Sequence, residues 1–338
     1  MSMLPKIFGA VAAVAVALSV PGASQPAQAQ AKKLKIALLV PALTNDGAFN
    51  QVALEGIKKL QAEGLVEYEL RERMGDPAQS EPVIRQYASR GYDLIIGHGI
   101  EISLPILKVA KDFPQVKFAA SGGMNLAERL APNVDGWTYD FEQGGYLNGF
   151  VAARIEGADT LGIIAGPQLP FIAAAHRGFK AGVMETKPSA KILETYTGSF
   201  DDVQKAAEAS RGQIAQGATV LWTSGDGIGN GVTAAAAATD GKVLTLGSTG
   251  EAGGLATKVN ITKVELDMYP VFKDYVTALQ AGTFGNKFHI SGLANKGLIM
   301  TPLNKLPRVP ASLQADVSKL VADLASGAKK LPDFTQVK

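Results

Sequence analysis

Short apolar runs rich in branched side chains recur along the chain, each followed by a polar or glycine-bearing stretch and then by apolar residues at helical spacing. The first run is Lys35-Ile-Ala-Leu-Leu-Val40. Residues 41–50 then read as a loop and 51–60 as the helix behind it. The same pattern predicts strands at 67–72, 94–96, 116–120 and 137–139, with helices at 51–63, 79–90 and 102–113, each ended by Gly or Pro. A second cycle begins with a helix at 145–155. Strands at 160–165, 191–197, 219–222 and 243–247 follow, separated by helices at 173–186, 201–216 and 231–239.

Strands alternating with helices over short connections indicate parallel βαβ units with right-handed crossovers. The fold class is therefore α/β, in two lobes. Lobe one is expected to comprise 32–142 plus about 250–284, and lobe two 143–249 plus about 285–338. The tail, 259–338, reads as a helix near 267–282, an irregular Gly/Asn stretch and a helix near 311–327. Such a tail can cross back to complete both lobes, giving several hinge strands.

The N-terminus changes the cellular picture. Lys6, an apolar stretch from Ile7 to Val20, and Ala27-Gln28-Ala29 or Ala29-Gln30-Ala31 have the layout of a secretory signal. The apolar stretch is shorter than the roughly 20 residues that span a bilayer. Residues 1–31 are expected to be a signal peptide, cleaved near 29–31. The 338 residues contain no Cys, which removes disulfides and a lipid-modified anchor, so a freely diffusing periplasmic protein is expected. Net charge is +2 with no basic stripe, which gives nucleic acid no purchase. A composition of 46% hydrophobic residues can fill two cores, and 37 glycines suit many tight turns.

In an open α/β sheet the ligand crevice lies beyond the carboxyl ends of the strands. The loop after the first strand places Thr44, Asn45, Asp46, Phe49 and Asn50 there, offering a hydroxyl, amides, a carboxylate and an aromatic face without a cation. Asp46 also suits a helix cap, and Phe49 a core position at a loop–helix junction. His98, between two glycines at a strand end, can face the same crevice. Trp222 ends a strand in lobe two, where it either roofs the pocket or packs in the core. Asp226 and Asn230 lie in the glycine-rich turn 225–231. Neither that turn nor Ser121-Gly-Gly-Met124 has the spacing of a nucleotide-binding loop. His98, His176 and His289 are the only imidazoles, none at metal-ligand spacing from another, so no metal and no cofactor are expected. No G-x-S-x-G elbow marks a hydrolase.

Five segments carry a family likeness: Asp46-Gly-Ala-Phe-Asn50, Glu142-Gln-Gly-Gly-Tyr-Leu-Asn-Gly149, Gly178-Phe-Lys-Ala-Gly182, Gly198-Ser-Phe-Asp-Asp202 and Gly225-Asp-Gly-Ile-Gly-Asn-Gly231. In these the chain resembles the basic membrane protein (BMP) family of ABC-transporter substrate-binding proteins, the purine-nucleoside-receptor-like group. The resemblance implies a two-lobed periplasmic-binding-protein type I fold, a Venus flytrap, that closes on a purine base or nucleoside. Phe49 would then stack on one face of the base and Phe200 on the other, while Asp46 and Asn50 bond its edge. Phe141 stands where such proteins tend to carry an acid or amide ahead of the Tyr-Leu-x-Gly helix. The loop 247–251 leaves Glu251 as the acid available to a ribose.

The expected protein is not an enzyme. It is a monomeric periplasmic solute-binding protein whose partners are a purine-like small molecule and an inner-membrane ABC permease. An amino-acid or sugar binder of the same fold, an exported α/β hydrolase and a chemosensory receptor remain the alternatives.

Overall fold

The computed structural model describes residues 1, 33–46, 48–248, 254–332 and 334; the expected signal peptide and Glu251 lie outside them. The first half runs β1 (Leu34–Leu39), α1 (Phe49–Ala62), β2 (Val66–Arg71), α2 (Pro77–Ser89), β3 (Leu94–Gly97), α3 (Ile100–Ala110), β4 (Lys117–Ser121) and β5 (Val134–Tyr139). The second runs α4 (Phe141–Ala152), β6 (Thr160–Ala165), α5 (Pro170–Thr186), β7 (Lys191–Tyr196), α6 (Val203–Ala215), β8 (Val220–Ser224), α7 (Gly229–Ala237), β9 (Leu244–Ser248), α8 (Ala256–Val259) and β10 (Asn260–Leu266). The chain closes with α9 (Tyr269–Gln280), β11 (Phe288–Ser291), β12 (Leu298–Met300) and α10 (Leu313–Ser326).

These strands form two six-stranded sheets, β11-β5-β4-β3-β1-β2 and β12-β10-β9-β8-β6-β7. All pairings are parallel except β10 with β12. Buried β1 and β3 read as continuous apolar runs because helices cover both faces of their sheet. Every strand read from the sequence is present.

The two helices of the tail, α9 and α10, lie where expected, but its strands depart from expectation. Residues 260–266, placed with lobe one, instead extend the second sheet beside β9, and 288–291, placed with lobe two, extend the first sheet beside β5. Within the stretch read as irregular, β11 and β12 are three to four residues long, too short for a period to show. Helix α9 returns to the first lobe. There Lys59 pairs with Asp267 (3.0 Å), while Tyr269 Oη and Lys273 Nζ both reach Glu63 (2.5 Å each). The chain thus passes between lobes at β5–α4, β10–α9 and β11–β12.

In the second lobe α4 and α5 touch backbone to backbone. A Cβ added to Gly145 or Gly149 would lie 1.9 or 2.0 Å from the Ala175 or Phe179 carbonyl oxygen. One on Gly178 or Gly182 would lie 2.1 or 2.3 Å from that of Glu142 or Tyr146. Two of the family-like segments therefore hold this seam.

Candidate functional site

A cavity of about 490 Å³ lies between the carboxyl ends of the two sheets, within the roughly 300–1,000 Å³ usual for small-molecule sites. Lobe one contributes Asp46, Phe49 and Asn50 after β1, Gly99 to Glu101 after β3, Ser121 and Gly122 after β4, and Trp137 to Tyr139 from β5. Lobe two contributes Phe171 and Ile172 after β6, Phe200 and Asp201 after β7, Trp222 to Gly227 at the end of β8, and Gly247. Between them, Asp140, Phe141, Gly144, Gly145 and Asn148 come from the start of α4, at one-turn spacing along a single helix face.

The lobe-one wall is an aromatic stack. Phe49 lies on His98 with ring centroids 3.9 Å apart, and His98 lies on Trp137 at 5.1 Å. Tyr139 meets Trp137 edge-on at 5.1 Å, and Phe141 and Phe171 continue the row. His98 is fully buried, which pushes its imidazole down to about 4 and keeps the ring neutral. Its Nε2 sits 2.8 Å from the Phe49 carbonyl. A carbonyl only accepts, so Nε2 carries the proton and donates it. The expectation that His98 faces the crevice is therefore corrected: it stands behind Phe49, holding that ring by one face and by its own backbone.

Asp46 serves two ends at once. Its carboxylate accepts from the N–H groups of Ala48 (2.9 Å), Asn50 (3.0 Å) and Gln51 (3.0 Å) and from the Asn50 amide (2.6 Å), capping α1 while bordering the cavity. That fixes the Asn50 amide with its nitrogen inward and leaves Oδ1 unpartnered and buried. Asn45 and Thr44 do not reach the cavity lining. Asn45 is exposed, and both the N–H and hydroxyl of Thr44 donate to Glu72 (2.7 and 2.5 Å).

On the other wall, Phe200 sits against Gly166, where a Cβ would fall 2.6 Å from its ring. Trp222 borders the cavity but stacks flat on Phe179 (4.8 Å), so it fills core and wall together. Asp226 is half-buried, and its carboxyl is pushed up to about 7, first by burial and then by the carboxylates of Asp46 and Asp201. Asn230 is exposed in the first turn of α7, outside the lining.

The lining holds Asp46, Glu101, Asp140, Asp201 and Asp226 and, among the described residues, no Lys, Arg or His. An anion would meet only repulsion here. Six buried polar atoms on lining residues have no protein partner among the described residues: Asn50 Oδ1, Asn148 Oδ1, Trp137 Nε1, Trp222 Nε1, Tyr139 Oη and Thr223 Oγ1. Each costs about 1–3 kcal/mol when left bare, so the walls of the cleft carry unspent hydrogen-bonding capacity just beneath their surface. Sequence reading missed Trp137, Tyr139 and Asn148. The alternation Trp137-x-Tyr139-x-Phe141, three rings on one face, was the available signal.

Two lobes whose strands end on a shared cavity of this size define a solute-binding protein of the periplasmic type I fold. A solute-binding protein from Conexibacter woesei shares that fold with a TM-score of 0.77 and 48% identity, over 89% of this chain and 99% of that one. The chain belongs to the Bmp family, the PnrA-like ABC transporter substrate-binding proteins, whose model matches residues 33–317. "Purine-binding protein" of Brucella abortus is 25% identical over 272 residues, 80% of this chain and 73% of that protein. "Basic membrane protein A2" of Borrelia garinii subsp. bavariensis is 26% identical over 187 residues, 55% of each chain. The chain spans about half the length of that protein and of the other basic membrane proteins it matches.

Proposed function

We propose that this protein is an exported receptor that captures a purine base or nucleoside in the interlobe cleft and delivers it to an ABC permease of the inner membrane. The observation that carries the purine reading is the pairing of Phe49 and Phe200, one from each lobe, on a single cavity between the lobes. Stacking is worth roughly 1–3 kcal/mol per base. Asn50, Asn148 and Ser224 border the cavity and bring amide and hydroxyl groups suited to the ring nitrogens, carbonyls and N–H groups of such a guest. Capture proceeds by closure over the three crossings, with lobe one binding first and lobe two burying the second face. The similarity to a protein named for purine binding supports the same reading.

The five carboxylates favour a second reading, an organic cation seated among aromatic rings. A thermal-shift screen of the purified protein against purines, nucleosides, amino acids, sugars and quaternary amines separates the two. A ligand at a hundred times its Kd adds about 2.7 kcal/mol of stability. Stabilisation by amines and not by purines refutes the first reading.

A further inference from the structure

Ser224 closes β8 and borders the cavity, and behind it stands a chain of hydrogen bonds that the purine reading does not use. Ser224 Oγ is 2.6 Å from His176 Nε2, and His176 Nδ1 is 2.5 Å from Glu194 Oε1. Glu194 is held in turn by Tyr196 Oη (2.6 Å) and Lys180 Nζ (2.8 Å). Three elements supply the row: α5 the imidazole, β7 the carboxylate and β8 the hydroxyl. Both side chains nearest the cavity are fixed, His176 being 1% exposed and Ser224 7%.

The proton positions follow from the donors available. Glu194 is held well below the usual carboxylate range, chiefly by its bond with His176, so it accepts and cannot donate. Nδ1 must therefore carry the imidazole proton. In the neutral ring Nε2 is then bare, and the only hydrogen available to fill it is that of the Ser224 hydroxyl. With that hydrogen turned inward, the oxygen has only lone pairs for the cavity.

We propose that Ser224 is a specificity-determining contact of the cleft: the Glu194–His176 pair orients its hydroxyl as a dedicated acceptor for one N–H group of a nitrogen heterocycle. The proposal rests on the ligand site described above. The same three side chains resemble a nucleophile with its base, but the acidic lining opposes the oxyanion that acyl transfer develops. Recognition is the role the surroundings support.

The orientation can be read without any ligand. Long-range ¹⁵N–¹H spectra of histidine-labelled protein contain three imidazoles, assigned by the variants H98F, H176F and H289F. His176 is expected as the Nδ1–H tautomer, and an Nε2–H tautomer overturns the relay. Calorimetry then tests recognition with guanosine, with inosine, which lacks the amino group, and with 1-methylguanosine, which lacks the ring N–H; adenosine and purine riboside form a second set. S224A is expected to weaken the parent nucleoside about tenfold and one donor-deleted analogue less than twofold. H176F is expected to add little on top of S224A, because it acts through the same hydroxyl. Equal losses for every analogue, additive effects, or labelling of Ser224 by a fluorophosphonate overturn the proposal. If none of the five compounds binds the wild-type protein, the purine reading fails, and the tautomer decides the relay by itself.

Discussion

The two walls of the cleft are built on different principles. On lobe one, Phe49 is fixed by His98 on one face and at its own carbonyl, and the Asp46 carboxylate is already engaged by three N–H groups and an amide. On lobe two, Phe200 rests on a glycine, and Asp226 titrates near neutrality because burial and two neighbouring carboxylates disfavour its charge. One wall is a finished surface; the other holds Ser224 in place but leaves the charge of Asp226 for a ligand to change. The contrast suits a receptor in which the first lobe selects by shape and the second by protonation and charge.

The largest effect expected from this contrast concerns the finished wall. His98 has a folded value near 4 against an ordinary 6.5. Its contribution to stability is therefore complete above about pH 6.5 and lost as pH falls towards 4, amounting to about 3 kcal/mol. Denaturant titrations of wild type and H98F across that range should diverge by this amount; parallel curves would erase the distinction between the walls. Next in size, Phe49→Ala should weaken the best purine ligand at least tenfold by calorimetry while the protein stays folded. Gly166→Ala on the opposite wall should push the Phe200 ring aside and cost three- to tenfold in affinity, roughly 1 kcal/mol, with a smaller change in Tm than Phe49→Ala. Smallest, Asp226→Asn should change affinity less than about threefold at pH 6 and flatten the pH dependence of binding around 7; an unaltered pH profile would show that the adaptable wall is as fixed as the other.

Much of this architecture could be read from residue order. Apolar runs of five or six residues between glycines and prolines, as at 35–40 and 160–165, leave little choice but buried strands, and they located the crevice loops that carry Asp46, Phe49, Phe200 and Asp226. In the tail the two helices were legible but the strands were not, because β11 and β12 are held by partners far away in sequence and carry no pattern of their own. His98 was placed at the right strand end with the wrong orientation. Whether a residue there faces the ligand or supports one that does depends on packing 49 residues away. Trp137 and Tyr139 were read only as strand residues, since alternation marks a face without saying what lies opposite.

The four glycines between α4 and α5 have a bearing on motion. Helix α4 begins at Phe141, immediately after the crossing from β5, and is welded to α5 at carbonyl distance, so neither helix can slide along the other without steric collision. At this crossing any change in the angle between the lobes must then be absorbed in the few residues around Asp140, as it is between β10 and α9 and between β11 and β12 at the other two, and α4 turns with α5 as one piece, like a door hung on a stiff frame.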